Sequence, residues 1–456
     1  MSMPPLASGP EGPPALGPLL ETVLTALSDG TRARGGPLPT GGPETVAARV
    51  RAALGDPLPE EGDPDALYAL VRAVAEGSAD PAHPLCAAHL HCPPLAVATA
   101  ADLAASALNP SLDSWDQAPA ASELEVLVAR ELAELAAGGG GTPPDALVTT
   151  GGTESNQLAL LLARETHPGI RLIHAANAHH SLPRAAWLLG LPDPVVVPAP
   201  SGTPAPAALD EALTRLPGPH LVAATAGTTD AGLIDPLPEI AALCARHGAR
   251  LHIDAAYGGG LLFSDRHRHK LAGLDAAATV TLDLHKLGWQ PVAAGLLTVR
   301  NPHDLTALHQ HADYLNADDD TEAGLPDLLA RSLRTTRRPD ILKIAVTLRT
   351  LGRKGIGRLV DQVCERAAEF ADLVDKSPRF ELYDRPTIST VVFRPRTAPD
   401  DTVAAVRRRL ITDGRAVIGR ARLDGRLWLK VTLLNPHTRP DDLAALLNLV
   451  EGTTPR

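Results

Sequence analysis

The sequence predicts an α/β protein built on a mostly parallel seven-stranded sheet, with a small α+β domain at its C-terminal end. Two observations carry this. From residue 145, seven short apolar runs recur, most of them separated by helical stretches. After about residue 340 the spacing changes to strands grouped between helices. Near-continuous runs of Val, Ile, Leu and Ala joined by helical crossovers are the pattern of strands buried on both faces.

Residues 1–16, rich in Pro, Gly and Ser, read as a disordered tip. Helical patterns follow at 17–28, 43–54 and 64–76, broken by Gly and Pro. Two more lie at 96–108 and 120–137, and the second stops at Gly138 to Gly141. The strand candidates are DALVTT (145–150), RLIHAA (171–176), DPVVVPA (193–199), HLVAATA (220–226), RLHIDAA (250–256), ATVTLDL (278–284) and AGLLTVR (294–300). A long helix at 340–376 then leads to FELYD (380–384), STVVFRPR (389–396), a helix at 400–412, AVIGRAR (416–422), RLWLKVTLL (426–434) and a last helix at 439–450. No internal repeat at a solenoid period is visible.

With 456 residues, 44% of them hydrophobic, the chain can bury a large core. Its net charge is −11 and it has no long basic run, which argues against non-specific nucleic-acid binding. Four cysteines are too few for a disulfide framework and fit a reducing, cytoplasmic compartment. The N-terminus lacks the basic and apolar regions of a signal peptide. No apolar stretch is long enough to span a bilayer.

In parallel sheets, ligands sit beyond the carboxyl ends of the strands, and three polar features fall there. In TTGGTESNQLALLLAR (149–164), a strand ends and Gly151-Gly152-Thr153-Glu154 opens a helix. Free amides and the helix dipole favour an anion at that point. Taken alone, this is an ordinary Gly turn with a Thr cap, and it is not a P-loop. In HIDAAYGGG (252–260), Asp254 sits at a buried strand end, where a carboxylate needs a partner. It is equally readable as a structural ion pair or a cap. In TLDLHKLGWQP (281–291), His285-Lys286 follows a strand. A lysine there is ordinarily a strand end reaching water. A phosphate cradle, a carboxylate and an amine at one sheet edge together match pyridoxal 5′-phosphate, which needs an anion site, an acid for its ring nitrogen and an amine for its aldehyde.

In this order, TTGGTESNQLAL, ANAHHSLPRAAWLLGL, HIDAAYGGG and TLDLHK resemble the pyridoxal-phosphate-dependent group II amino-acid decarboxylases, from about His83 to near the C-terminus. The resemblance implies the aspartate aminotransferase-like architecture (fold type I) and an obligate homodimer with sites at the subunit interface. Lys286 resembles the lysine that forms the Schiff base, and Asp254 the partner of the pyridine nitrogen. His179 resembles the histidine stacked on the ring, with His180 beside it as the alternative. Gly152 and Thr153 match phosphate-loop positions. Thr228 matches a threonine beside the cofactor, Ala256 the small residue under the ring, and His285 the histidine before the lysine. Asp283 stands where relatives carry Asp or Asn. The implied parts are a tip and helical arm (1–82), a large cofactor-binding domain (83–339) and a small domain (340–456).

HPLCAAHLHCPPL (83–95), NPSLDSWDQAPAASELE (109–125), SLRTTRRPD and VTLLNPHT resemble the L-2,4-diaminobutyrate decarboxylase-like branch. This implies carbon dioxide loss from a small basic amino acid. Substrate candidates are His91, Asp116 and Tyr314. Asp113 and Asp116 also read as caps for the helix after Pro119. His89 and His91 between Cys86 and Cys92 look like a metal cluster, but the resemblance makes His91 a pocket residue and no metal is expected. One departure stands out. Residues 316–331 hold no tyrosine, where many relatives carry the one that protonates Cα. That keeps open a same-fold alternative in which the carbanion is diverted to oxidative deamination or transamination.

Overall fold

The computed structural model describes residues 3–138, 142–310 and 312–454. In chain order the strands are β1 (Cys86–Ala87), β2 (Asp145–Thr149), β3 (Arg171–Ala175), β4 (Val195–Val197), β5 (His220–Thr225), β6 (Arg250–Ala255), β7 (Thr279–Asp283), β8 (Gly295–Val299), β9 (Phe380–Leu382), β10 (Thr390–Pro395), β11 (Val417–Leu423) and β12 (Arg426–Thr432). The first seven helices of four residues or more are α1 (Gly12–Arg34), α2 (Gly42–Leu54), α3 (Ala66–Gly77), α4 (Ala96–Leu108), α5 (Pro119–Ala137), α6 (Gly152–Thr166) and α7 (Ser181–Leu188). The chain divides into two compact units. The larger holds Pro94–Glu365 and Pro386–Ser389, and the smaller holds Met1–Pro93, Arg366–Arg385 and Thr390–Arg456.

All seven expected strands of the larger unit form, in one sheet of order β2-β8-β7-β6-β5-β3-β4. Only β8 runs against its neighbours. Every residue of β2, β5, β7 and β8 is buried, as strands covered on both faces must be. α6 covers part of one face with two rows of side chains. Leu158 and Leu162 pack with Leu147 and Leu297, while Leu160 and Ala163 pack with Leu172 and Leu221. β4 is the shortest strand of this sheet, because Pro194 and Pro198 flank it and cannot donate to a ladder.

The smaller unit carries a five-stranded sheet of order β1-β11-β12-β10-β9. Its core gathers Phe370, Phe380, Phe393, Ile418 and Leu429, with Phe370 edge-on to Phe393 at 5.4 Å. β1 is absent from the sequence reading. Two residues cannot show an alternation, and only their parallel pairing with Val417 and Ile418 makes them a strand. α1 and α3 pack closely because Gly30 has no side chain, and a Cβ there would stand 2.5 Å from the Arg72 carbonyl oxygen.

Two expectations need adjusting. α1 begins at Gly12 and takes in the last five residues of the supposed tip, because Pro13 suits the first helical turn. The long helix forms over Ile341–Lys376 but is interrupted at Gly352, whose φ of 65° is not helical. α5 ends at Gly138 in a left-handed conformation, and the rest of the expected glycine stop, 139–141, lies outside the described residues. Among the described residues, no helix is long and apolar enough to cross a membrane.

Candidate active site

Strand register assembles the site. β8 runs antiparallel between β2 and β7, so its first residue, Gly295, pairs with both Thr149 and Asp283. The ends of β2 and β7 are thereby drawn together, and a Cβ at Gly295 would lie 2.5 Å from the Gly151 Cα. Across β5, β6 and β7, Thr225 pairs with Asp254, and Asp254 with Thr281. Thr149, Asp254 and Asp283 therefore stand at one edge, beyond which ligands bind in such sheets.

After Asp283 the chain makes a single helical turn, Leu284–Leu287. This brings the Lys286 Nζ to 2.9 Å from the Asp283 Oδ2, with the His285 Nε2 3.5 Å from the same oxygen. Asp283 is buried, and its Oδ1 finds no hydrogen-bond partner among the described residues. Burial holds the His285 pKa below the ordinary imidazole value. The opening of α6 faces this group. Gly151 has φ 146°, and a Cβ there would meet the His285 Cε1 at 2.8 Å. A Cβ at Gly152 would lie 3.1 Å from the Ala256 Cβ and 3.3 Å from the Asp283 Oδ2. The glycines thus let three segments meet. The first-turn amides of α6, those of Gly152 and Thr153 included, have no acceptor inside the helix. Glu154 does not project into this space. It accepts from the Thr150 amide (2.6 Å) and hydroxyl (2.7 Å) and pairs with Arg334.

Asp254 is buried and held on both oxygens. Oδ1 accepts the Ala256 amide at 3.1 Å, and Oδ2 accepts the Asn156 Nδ2 at 2.9 Å. Asn156 also donates to the Ser181 Oγ at 2.9 Å. Its Oδ1 accepts from the Thr281 hydroxyl (2.8 Å) and lies 3.0 Å from the His252 Nε2. The Ser181 Oγ lies 2.8 Å from the His179 Nδ1. His179 is half-buried and its pKa is lowered by that burial, while His180 beside it is exposed. Thr228 is buried in the loop after β5, accepting the Leu233 amide on its hydroxyl at 3.0 Å.

Residues 58–396 match the pyridoxal-dependent decarboxylase conserved domain. The chain belongs to the pyridoxal-dependent decarboxylases. It is 41% identical to an L-2,4-diaminobutyrate decarboxylase of Rhizobium meliloti (strain 1021), over 87% of this chain and 84% of the relative. It is 32% identical to an L-2,4-diaminobutyrate decarboxylase of Acinetobacter baumannii, over 80% and 79%. The crystal structure of the glutamate decarboxylase domain of diaminobutyrate-pyruvate transaminase and L-2,4-diaminobutyrate decarboxylase from Vibrio parahaemolyticus superimposes with a TM-score of 0.86 at 29% identity, covering 98% of this chain and 97% of that one. The fold is thus type I, and the protein is a pyridoxal-phosphate-dependent amino-acid decarboxylase. The site fits that cofactor. It combines a helix start with unshielded amides, a buried carboxylate locked in orientation and an amine at the same sheet edge.

This decarboxylase's chain does not bring every sequence candidate to that edge. Asp116 is exposed in the short turn Trp115–Gln117 before α5. Neither aspartate caps α5. Asp113 instead accepts the Gln117 side chain at 2.6 Å. Tyr314 is 81% exposed and lines a cavity of about 490 Å³ with Leu161, Arg164 and Leu333, on the C-terminal half of α6. Among the described residues, neither Asp116 nor Tyr314 shares a hydrogen bond or ion pair with the Lys286 group. His91 lies in the smaller unit, exposed in the loop after β1. Arg337 is buried with its Nη1 donating to both oxygens of Glu125, and Arg338 bonds to Asp102 at 2.7 Å.

Sequence reasoning passed over Asn156, Ser181, His252 and Thr281. A signal for one of them existed. His252 and Asp254 are two apart on one strand and share a face, whereas Thr281 is placed against Asp254 only by the β6–β7 register. Asn156 lies one helical turn beyond Gly152. Nothing local shows that this turn faces β6.

Proposed function

We propose that the chain decarboxylates a small basic L-amino acid, L-2,4-diaminobutyrate first among them, to carbon dioxide and the amine. The observation that carries the chemistry is the convergence of Lys286, Asp254 and the α6 start at one sheet edge. The likeness to the Rhizobium meliloti enzyme over most of both chains supports the substrate.

In this reading the Lys286 amine is the group that would hold the cofactor covalently. When bound, pyridoxal 5′-phosphate supplies an electron sink for the pair freed as the Cα–carboxylate bond breaks. Asp254, already fixed by Asn156 and Ala256, would keep a proton on the ring nitrogen. The Gly152 and Thr153 amides would hold the phosphate, with His285 as a further phosphate-side residue. His179, Thr228 and the small Ala256 would hold the ring. Asp283 orients the Lys286 amine.

His91, Asp116 and Tyr314 are proposed at the substrate of an assembled homodimer, since among the described residues Asp116 and Tyr314 share no hydrogen bond or ion pair with the Lys286 group of their own chain. Residues 1–82 form the arm that braces this dimer, 83–339 the cofactor-binding part and 340–456 the small part. Four free cysteines support a cytoplasmic setting.

A second reading has one observation in its favour. Residues 316–331 lack a tyrosine, and Tyr314 faces a cavity on α6. Without that proton donor, a carbanion can be diverted to oxygen. Diaminobutyrate, ornithine, lysine, aspartate, glutamate and tyrosine should be offered while carbon dioxide, amine, oxygen and hydrogen peroxide are measured. The expected result is amine and carbon dioxide in equal amounts from diaminobutyrate, without oxygen uptake. Peroxide formation would replace the first reading by the second. Lys286→Ala should lose both turnover and the visible absorption of covalently held cofactor. Retention of either would overturn the assignment of Lys286.

A further inference from the structure

Asn156 sits at the centre of a buried network in which each polar atom has one available role. A side-chain amide has two N–H donors and one oxygen acceptor. Here the donors reach the Asp254 Oδ2 and the Ser181 Oγ, both at 2.9 Å. The oxygen meets the Thr281 hydroxyl at 2.8 Å and the His252 Nε2 at 3.0 Å. The opposite amide orientation would set its oxygen against the Asp254 carboxylate, so Asp254 decides which way the amide points. The Ser181 hydroxyl oxygen accepts a hydrogen bond from Asn156, and its own O–H is then free to donate to the His179 Nδ1, 2.8 Å away. The Ser181 backbone N–H points at the same nitrogen, at 3.3 Å. Two donors converge on Nδ1, so Nδ1 accepts and the ring proton resides on Nε2.

We propose that Asn156 and Ser181 are positioning residues. They form a relay that starts at Asp254 and holds His179 neutral, with its single proton on Nε2. This rests on the reading of Asp254 and His179 as the two residues that face the cofactor ring. The relay ties the acid partner of the ring to the residue stacked on it. It leaves His179 one N–H, on the side away from Ser181. Charging His179 requires a proton on Nδ1, against two donors, so the relay opposes the imidazolium. Asn156, Ser181, Asp254, His252 and Thr281 belong to four different elements. Asp254, Asp283, Lys286 and His180 are the charged and titratable groups acting on His179.

The test is the tautomer of His179 in the full chain labelled with ¹⁵N-histidine, read by solid-state NMR and assigned by difference from His179→Gln, with and without pyridoxal phosphate. The wild type and Ser181→Thr should show a neutral ring protonated on Nε2 down to pH 6. Ser181→Ala should show mixed tautomers or imidazolium there. The acid limb of amine production should rise by on the order of one pH unit in Ser181→Ala and return in Ser181→Thr. A proton on Nδ1 in the wild type would overturn the relay even if Ser181→Ala did not fold. So would a Ser181→Ala protein with unchanged ring signals and an unchanged acid limb. A merely structural Ser181 lowers thermal stability and moves neither readout. The ring signals of the cofactor-free chain do not depend on Lys286 chemistry, so this outcome stands apart from that of Lys286→Ala.

Discussion

Single residues in this site have meaning through the atoms that hold them. His252 is fully buried between Asn156 and Thr279, and burial pushes its pKa down to about 4. The fold therefore holds it neutral, while the unfolded chain takes up a proton near its ordinary value of 6.5. Its contribution is fully present above that value and is lost as pH falls from there towards 4. The loss reaches about 3 kcal/mol for a shift of this size. Urea unfolding between pH 7.5 and 4.5 should show this slope in the wild type and a flatter one in His252→Gln. An identical slope in the two proteins would mean that the ring is charged inside the fold. Lys286 follows the same logic. In the sequence it is a lysine at a strand end, and in the fold its amine is 2.9 Å from a buried carboxylate oxygen that it shares with His285.

At the scale of elements, the reversed strand β8 is the organising feature. It brings the β2–α6 turn against the β7–Lys286 turn, and both turns must be thin where they touch. Gly151 illustrates this, with φ 146° and room for no Cβ beside His285. Gly151→Ala should displace His285 and tilt the α6 amides. The expected result is at least tenfold weaker pyridoxal phosphate binding, about 1.4 kcal/mol, by fluorescence titration. Unchanged affinity would show that the α6 opening does not hold the phosphate. The sequence locates both turns because each is spelled by Gly, Asp or Lys after an apolar run. It does not reveal that β8 runs backwards between them, since direction in a buried strand leaves no mark on composition.

For the whole molecule, the same distinction separates covered from uncovered apolar surface. In the smaller unit, α1 and α3 pack on each other yet leave Leu19, Leu24, Leu27 and Val74 from 44% to 66% exposed. Apolar side chains exposed in this way call for a cover, which the proposed homodimer would provide. Sedimentation at micromolar concentration should give twice the chain mass. Leu24→Asp with Val74→Asp should shift the protein towards monomer and reduce amine production. A monomeric wild type would remove the proposed homodimer and with it any site shared between subunits. The helices themselves are legible in the sequence from their apolar spacing. Which apolar residues stay outside is not, because it depends on how closely α1 and α3 approach at Gly30 and Ala75.

By itself, the sequence determined the α/β class, the seven strands of the larger sheet and the identity of the cofactor chemistry. Strands buried on both faces are written as continuous apolar runs, and the polar groups that end them are then conspicuous. Only the tertiary structure decided that His179, rather than His180, is tied through Ser181 and Asn156 to Asp254, and that Tyr314 lines a cavity on the C-terminal half of α6. Asn156 and Asp254 are separated by 98 positions. A hydrogen bond between residues so far apart in the chain is set by the register of β6 against β7 and the packing of α6 upon them, neither of which is a property of any local stretch.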